Sequence, residues 1–302
     1  MILAAIPSFT ELLGMFDMLK WFPENVSTFG HELDNLFAFI YYISLGIFFL
    51  TYGVLIAFMI KYRRKDNVKA YYYHGNNLVE FTWTLLPTIL FAGIGLYSDG
   101  MWEKTKYEKK VPVPDVEVQV MGYQYGWTCR YPGPDGTFGR QDRNQMTTSN
   151  RFGIDSADAA GKDDIVKDGS FTFPINRNIV VGLSASDVLH SFFLPNFRVK
   201  QDAVPGQWIK VWFNGTKVGK YELACAELCG SGHYNMRGEV TMLSQADFDK
   251  WLSDESAKKL GVTFASTSKK SDSTATAKSD STTSTVAVAT ADSSKTSNKK
   301  SK

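Results

Sequence analysis

Cys225-Ala-Glu-Leu-Cys229-Gly-Ser-Gly-His233-Tyr-Asn-Met236 puts two thiols, an imidazole and a thioether within twelve residues. Thiolate and thioether sulfurs beside an imidazole suit copper, with a weak axial Met as the distinguishing member. Of the four His in the chain, His31 and His74 fall at the edges of apolar segments and read as solvated loop residues. His190, in Asp187-Val-Leu-His190-Ser, follows a predicted strand and is the best second imidazole. One mononuclear copper needs one Cys, two His and a Met, which leaves a thiol unused. One structural zinc needs two Cys and two His, which leaves Met236 unused. Two coppers bridged by both thiolates use the whole set, with Met236 axial on one and a backbone carbonyl of the Cys-to-Cys loop on the other. A disulfide, the alternative for an extracytoplasmic thiol pair, accounts for neither His233 nor Met236. A bridged pair of metals enclosed by protein ligands keeps no open position for substrate, so it would relay electrons.

Outward from this segment, short runs with strand character recur between turns rich in Gly, Pro, Asn and Asp: 116–121, 170–173, 178–183, 208–213, 220–224 and 239–243. They predict an all-β sandwich or barrel. Cys129 reads as a thiol buried in a strand. Residues 132–168 carry seven Asp and five Lys or Arg and read as a polar insertion, a long surface loop. Ser244-Gln-Ala-Asp247 resembles a helix-capping box, with Phe248 and Trp251 on one face of the short helix that follows. The Ser, Thr, Ala and Lys tract 266–302 is too poor in apolar residues to order itself.

The amino-terminal third has a different character. Residues 35–60 contain no charge over 26 positions, about 39 Å of helix and enough to cross a hydrocarbon core of about 30 Å. Lys61, Arg63, Arg64 and Lys65 follow and mark a cytoplasmic side. A second uncharged run, 81–98, predicts a return span, with Pro87 tolerable inside a membrane helix. Both termini and the β-domain are then extracytoplasmic. The first 30 residues lack the basic region of a standard signal peptide. Phe9, Leu12, Leu13, Phe16 and Leu19 predict an interfacial helix there. The expected organisation is an outer segment 1–34, a transmembrane hairpin 35–98, a β-domain 99–265 with its insertion, and a tail 266–302.

Charge excludes some functions. Lys plus Arg number 33 against 31 Asp plus Glu, which is not the profile of a dedicated nucleic-acid binder. The tail from Ser266 carries seven Lys and three Asp, and residues 100–265 balance at 20 against 20. Attraction for a basic partner would have to come from local carboxylates. No Cys-x-x-Cys-His occurs in the chain, so no fused c-type haem is expected.

The hairpin, Asp187-Val-Leu-His190-Ser, Lys200-Gln-Asp202-Ala-Val-Pro205-Gly206 and the Cys-x-Glu-x-Cys-Gly-Ser-x-His-x-x-Met signature together resemble subunit II of the haem-copper cytochrome c oxidases. The likeness spans roughly residues 22–251. It implies a cupredoxin fold with a dinuclear copper centre, CuA, held by His190, Cys225, Cys229, His233, Met236 and the main-chain carbonyl of Glu227. It further implies a Mg²⁺ on the Glu227 side chain at the contact with subunit I, a suitable hard ligand. Glu80 matches a carboxylate at the cytoplasmic entrance of a proton channel. Gly122-Tyr-Gln124-Tyr125-Gly126-Trp127 resembles the aromatic region above the copper, with Tyr125 where the family commonly has the Trp that receives electrons and Trp127 matching a later aromatic.

Asp187 reads as a docking carboxylate for a basic cytochrome c. The insertion would add Asp135, Asp142, Asp155, Asp158, Asp163, Asp164 and Asp168, and it departs from the compact family pattern. The implied function is electron input to a respiratory oxidase that reduces O₂ to water and translocates protons, in a bacterial plasma membrane. A copper-free structural subunit, as in quinol oxidases, is opposed by the retention of every ligand. A nitrous oxide reductase is opposed by the small number of His.

Overall fold

The computed structural model describes residues 21–261; the expected interfacial helix and the tail 266–302 lie outside them. Helix α1, Gly30–Lys61, and helix α2, Asn77–Lys106, are both long and apolar enough to cross a membrane. Their side chains, such as Leu50, Met59, Phe81 and Phe91, face outward, as lipid or a membrane partner requires. Both helices outrun the uncharged stretches that predicted them. Absence of charge marks the hydrocarbon crossing, whereas the helix continues into its polar ends. Asn76 caps α2 by accepting from the N–H groups of Leu78 and Val79 at 2.9 and 3.2 Å, and Pro87 sits inside without ending it. His31 is therefore in the first turn of α1 and not in a loop, while His74 lies in the inter-helix segment as expected.

Among the described residues, ten strands form two five-stranded sheets. One has the order β3-β2-β1-β5-β8, the other β4-β10-β9-β6-β7. In chain order the strands are β1 Val116–Tyr123, β2 Gly126–Tyr131, β3 Ile165–Asp168, β4 Ser170–Pro174, β5 Ile179–Ala185, β6 His190–Leu194, β7 Val199–Ala203, β8 Ile209–Phe213, β9 Gly219–Cys225 and β10 Arg237–Leu243. β1 and β5 run parallel, as do β4 and β10; the other ladders are antiparallel. Inner-face side chains interdigitate: Val118, Val120, Trp127, Phe171, Phe173, Leu183, Phe192, Phe213, Leu223 and Val240 are buried. Each large apolar group contributes about 1.5–3 kcal/mol of burial. The Tyr131 hydroxyl pins the sheets together, accepting from Thr172 N–H at 2.8 Å and donating to its carbonyl at 3.2 Å. Cys129 is buried in β2 as expected, and its surroundings push its thiol up.

The insertion is not a solvated loop. Its last four residues are β3, an edge strand paired to β2. Arg130 of β2 and Asp164 form an ion pair with both side chains fully buried, and Arg130 also donates to the Gly139 carbonyl and Gln119. Arg140 pairs with Asp155, Phe152 stacks on Trp208 with centroids 6.5 Å apart, and Arg151 lies 3.4 Å over the Tyr123 ring. Helix α3, Gln245–Leu260, is capped by Ser244 accepting from Asp247 N–H at 3.2 Å and stacks Phe248 on Trp251. It closes the insertion through Lys167 to Glu255 and Lys259 to the Asp164 carbonyl. The insertion thus covers the outer face of β2.

Candidate metal centre

β9 and β10 are adjacent antiparallel strands, with Ala224 opposite Arg237. The segment between them must turn back on itself, and Cys225 N–H closes it on the Met236 carbonyl at 3.1 Å. β6 runs beside β9 with Phe192 opposite Cys225, and Ala226 N–H reaches the Ser191 carbonyl at 3.0 Å. His190, the first residue of β6, is thereby delivered to the same end of the sandwich. It follows β5, the strand expected before it, and itself opens β6.

The ligand atoms converge there. The Cys225 and Cys229 sulfurs are 3.9 Å apart, far beyond a disulfide bond of about 2.05 Å, and both thiols are free. His190 Nδ1 lies 3.9 Å from the Cys225 sulfur, His233 Nδ1 3.6 Å from the Cys229 sulfur, and Met236 Sδ 3.7 Å from the latter. The Glu227 carbonyl oxygen is 3.2 Å from the Cys225 sulfur. Among the described residues, His190, Cys225 and Cys229 form a group whose ligand atoms all lie within 4.8 Å of one another. Two sulfurs flanked by one imidazole each, with a thioether on one side and a carbonyl on the other, fit two soft metal ions and leave no donor unused. The Glu227 side chain is exposed.

Electrostatics prepare the donors. Burial first, then the Cys225 sulfur beside it, push the Cys229 thiol up to about 11. Asp187 is exposed at the surface and also serves the site. Its carboxylate accepts from His190 Nε2 at 2.8 Å, Gln124 N–H at 2.7 Å and Val188 N–H at 2.7 Å. Burial opposes its ionisation, but these hydrogen bonds outweigh it and hold the carboxyl below its usual range. An anionic acceptor on Nε2 fixes the tautomer that leaves Nδ1 facing the thiols. The three-residue spacing of Asp187 and His190 was the sequence signal for this partnership.

The aromatic stretch packs on the site from the opposite sheet. Gln124 Nε2 donates to the Cys229 carbonyl at 2.6 Å, and the Tyr125 hydroxyl lies 3.3 Å from Ser231 Oγ. A Cβ on Gly232 would stand 2.5 Å from the Tyr125 ring, and one on Gly122 would stand 3.0 Å from the His190 ring. Both positions exclude a side chain because of that close approach. Tyr125 is 40% exposed, but Trp127 is wholly buried, edge-on to His190 with centroids 6.0 Å apart. Only Tyr125 of the two meets the surface. Of the insertion's Asp residues, Asp155 and Asp164 are buried and paired, Asp158 accepts from Arg140 N–H, Asp135 and Asp142 cap their own turns, and Asp135 and Asp168 are exposed. Glu80 is not brought to the site. It stands in the first turn of α2, about 39 Å along the helix from Lys106, which touches the β-domain.

Models of two cytochrome c oxidase subunit II domains match the chain, the transmembrane domain over residues 15–99 and the periplasmic domain over residues 116–242. The chain belongs to the cytochrome c oxidase subunit II family. As a subunit II it is a membrane protein whose β-domain is extracytoplasmic. The alternative cytochrome c oxidase subunit 2 of Bradyrhizobium diazoefficiens is 30% identical, over 84% of this chain and 91% of that protein. Cytochrome c oxidase subunit 2 of Cereibacter sphaeroides is also 30% identical, over 75% of this chain and 76% of that one. The crystal structure of the periplasmic domain of subunit II of cytochrome oxidase from Bradyrhizobium japonicum aligns with 49% of this chain and 98% of that one, at 28% identity and a TM-score of 0.37. The subunit II signature and the convergence of its thiols and imidazoles now stand together.

Proposed function

We propose that this subunit receives single electrons from a cytochrome c and passes them to haem in subunit I, where O₂ is reduced to water and protons are translocated. The observation that carries the reading is the convergence of Cys225, Cys229, His190, His233 and Met236 at one end of a rigid sandwich. These side chains, with the Glu227 carbonyl, would hold a dinuclear copper centre, which would supply one-electron redox chemistry with the charge shared by both metals. His190 and Cys225 stand at strand ends, and the segment carrying Cys229, His233 and Met236 is closed by Cys225 N–H on the Met236 carbonyl, so little protein would have to reorganise. Asp187 orients the His190 ring. Met236 and Cys229 are buried, which keeps water from this side of the donor set.

Around this centre, Tyr125 is proposed as the surface contact through which electrons arrive. The exposed Glu227 carboxylate is proposed as a Mg²⁺ ligand at the subunit I contact, and Glu80 as the carboxylate at a proton-channel entrance, as an ionisable group at a membrane edge suggests. The basic residues after α1 support a cytoplasmic hairpin turn, with both termini outside a bacterial plasma membrane. The boundaries proposed are 1–34, 35–98, 99–265 and 266–302.

Steady-state oxygen uptake by purified oxidase, with reduced cytochrome c as donor, tests the reading. Cys225→Ser together with Cys229→Ser should abolish it while the complex still assembles. Oxidation of cytochrome c at the wild-type rate in that double variant would refute it.

A further inference from the structure

The hairpin β6–β7 carries the metal site at one end and meets the membrane helices at the other. His190 opens β6 and pairs across the hairpin with Ala203, while Ser191 Oγ donates to Asp202 at 2.7 Å. The opposite end is the turn from Pro195 to Arg198, about 13 Å along the strand from His190. Arg198 is seated there in the left-handed region, φ 56°, a conformation that an Arg keeps only when its surroundings hold it.

Those surroundings belong to the start of α1. Arg198 Nε and Nη2 fork onto the Asp34 carboxylate at 2.7 and 3.1 Å. Nη2 also donates to the Pro23 carbonyl at 2.9 Å, Nη1 donates to the Pro195 carbonyl at 2.6 Å, and the guanidinium lies 5.5 Å from the Phe22 ring centroid. Both partners of the ion pair are nearly buried, 13% and 15% exposed. The far strand is held by the other helix: Lys106 Nζ of α2 donates to the Lys200 carbonyl at 2.6 Å and to Gln201 at 3.1 Å. One membrane helix therefore grips the turn of the hairpin and the other grips β7, the strand paired with the β6 that carries His190. Attachment of the domain does not depend on Arg198, because Val26 is buried in the sandwich core and the Ser27 bridge to Gly215 ties the same segment to it.

We propose that Arg198 is a positioning residue for electron transfer: its fork on Asp34, with Lys106 on β7, sets the height and tilt of the β6–β7 hairpin, and so of His190, above the membrane helices. The inference rests on the function proposed above. A fork of two parallel hydrogen bonds fixes an angle as well as a distance, which a single bond does not. A tilt of about 5° about the turn would move His190 by about 1 Å, and misplacement on that scale can cost a reacting pair about 100-fold.

The test uses the assembled oxidase with Arg198→Gln, Asp34→Asn, and the exchanged pair Asp34→Arg with Arg198→Asp. Copper absorption and the rate of copper reduction by cytochrome c should match wild type in all three. Transfer onward to haem, followed after rapid reduction of the copper, should slow about tenfold in the two single variants, below the roughly 100-fold ceiling for misplacement. It should recover in part in the exchanged pair, where the ion pair returns without the bonds to Pro23 and Pro195. In the copper-free chain, amide exchange across 195–200 should quicken in Arg198→Gln. An unchanged onward rate would overturn the inference while leaving the copper assignment standing. Slowing of the donor step in equal measure would overturn it too, since that would place the defect in the copper site itself. A wild-type oxidase without copper absorption would instead overturn the reading on which it rests.

Discussion

Replacing Asp187 by Asn keeps the shape of the side chain and removes one of its two acceptor oxygens. Oδ1 serves His190 Nε2 and Val188 N–H, and Oδ2 serves Gln124 N–H. In the amide, whichever position becomes NH₂ points a donor at a donor. If it replaces Oδ1, His190 loses the partner that fixes its tautomer. If it replaces Oδ2, Gln124 is pushed away, and Gln124 also holds the Cys229 carbonyl at 2.6 Å. Either arrangement loosens one metal ligand without removing it. Loss of such an outer partner typically weakens metal binding about 10–100-fold, or about 1.4–2.7 kcal/mol. Competitive copper titration against a chelator, with near-infrared absorption as the readout, measures this directly. Wild-type affinity with an unaltered spectrum in Asp187→Asn would refute the claim that this carboxylate orients His190.

Other outcomes follow from the same geometry. Met236→Leu should retain copper and shift its reduction potential, because the axial thioether contact is weak; complete copper loss would contradict this. The Cys229 thiol, raised to about 11, is protonated at neutral pH in the copper-free protein. Copper must displace its proton, so apparent affinity should climb as pH rises towards that value; titration in weak buffer should show proton release, and pH-independent binding would contradict it. Asp164→Ala leaves Arg130 charged and buried without its carboxylate, with only the Gly139 carbonyl and Gln119 as acceptors, which should cost about 3–5 kcal/mol in denaturant unfolding of the outer domain. Asp155 is held down to about 2, chiefly by Arg140 and then by Ala157 N–H. Its folded value lies below the ordinary carboxylate value of about 3.9, so its stabilisation is complete above the latter and vanishes as pH falls through about 2. An acid protease should therefore cut the insertion near that lower pH and spare it near pH ~4.

What the sequence disclosed depended on how each strand meets solvent. β1, β4, β5, β8, β9 and β10 announced themselves through short alternating runs bounded by turn residues. β2 was read only through Cys129; its alternating Trp127, Cys129 and Tyr131 face the core, while its polar face, Thr128 and Arg130, is buried as well. One side lies in the sandwich core, and the other is covered by the insertion. Arg130 drew no reading from the sequence, because its partner Asp164 lies 34 residues later and no local pattern links them. β6 is likewise buried at His190, Ser191, Phe192 and Leu194. The metal residues were legible because thiols, imidazole and thioether are rare and closely spaced. The restraint on His190 was half legible: Asp187 was noticed, for docking, and its hydrogen bond to His190 was not read. The Arg198 to Asp34 fork joins residues 164 positions apart and carried no signal at all.

The central claim is that both thiols and both imidazoles serve one dinuclear centre. Electron paramagnetic resonance of the copper-loaded protein, with copper counted per chain, tests it most directly. Two coppers per chain and the hyperfine pattern of one electron shared equally by two copper nuclei are predicted. One copper per chain with the hyperfine pattern of a single nucleus would contradict the account.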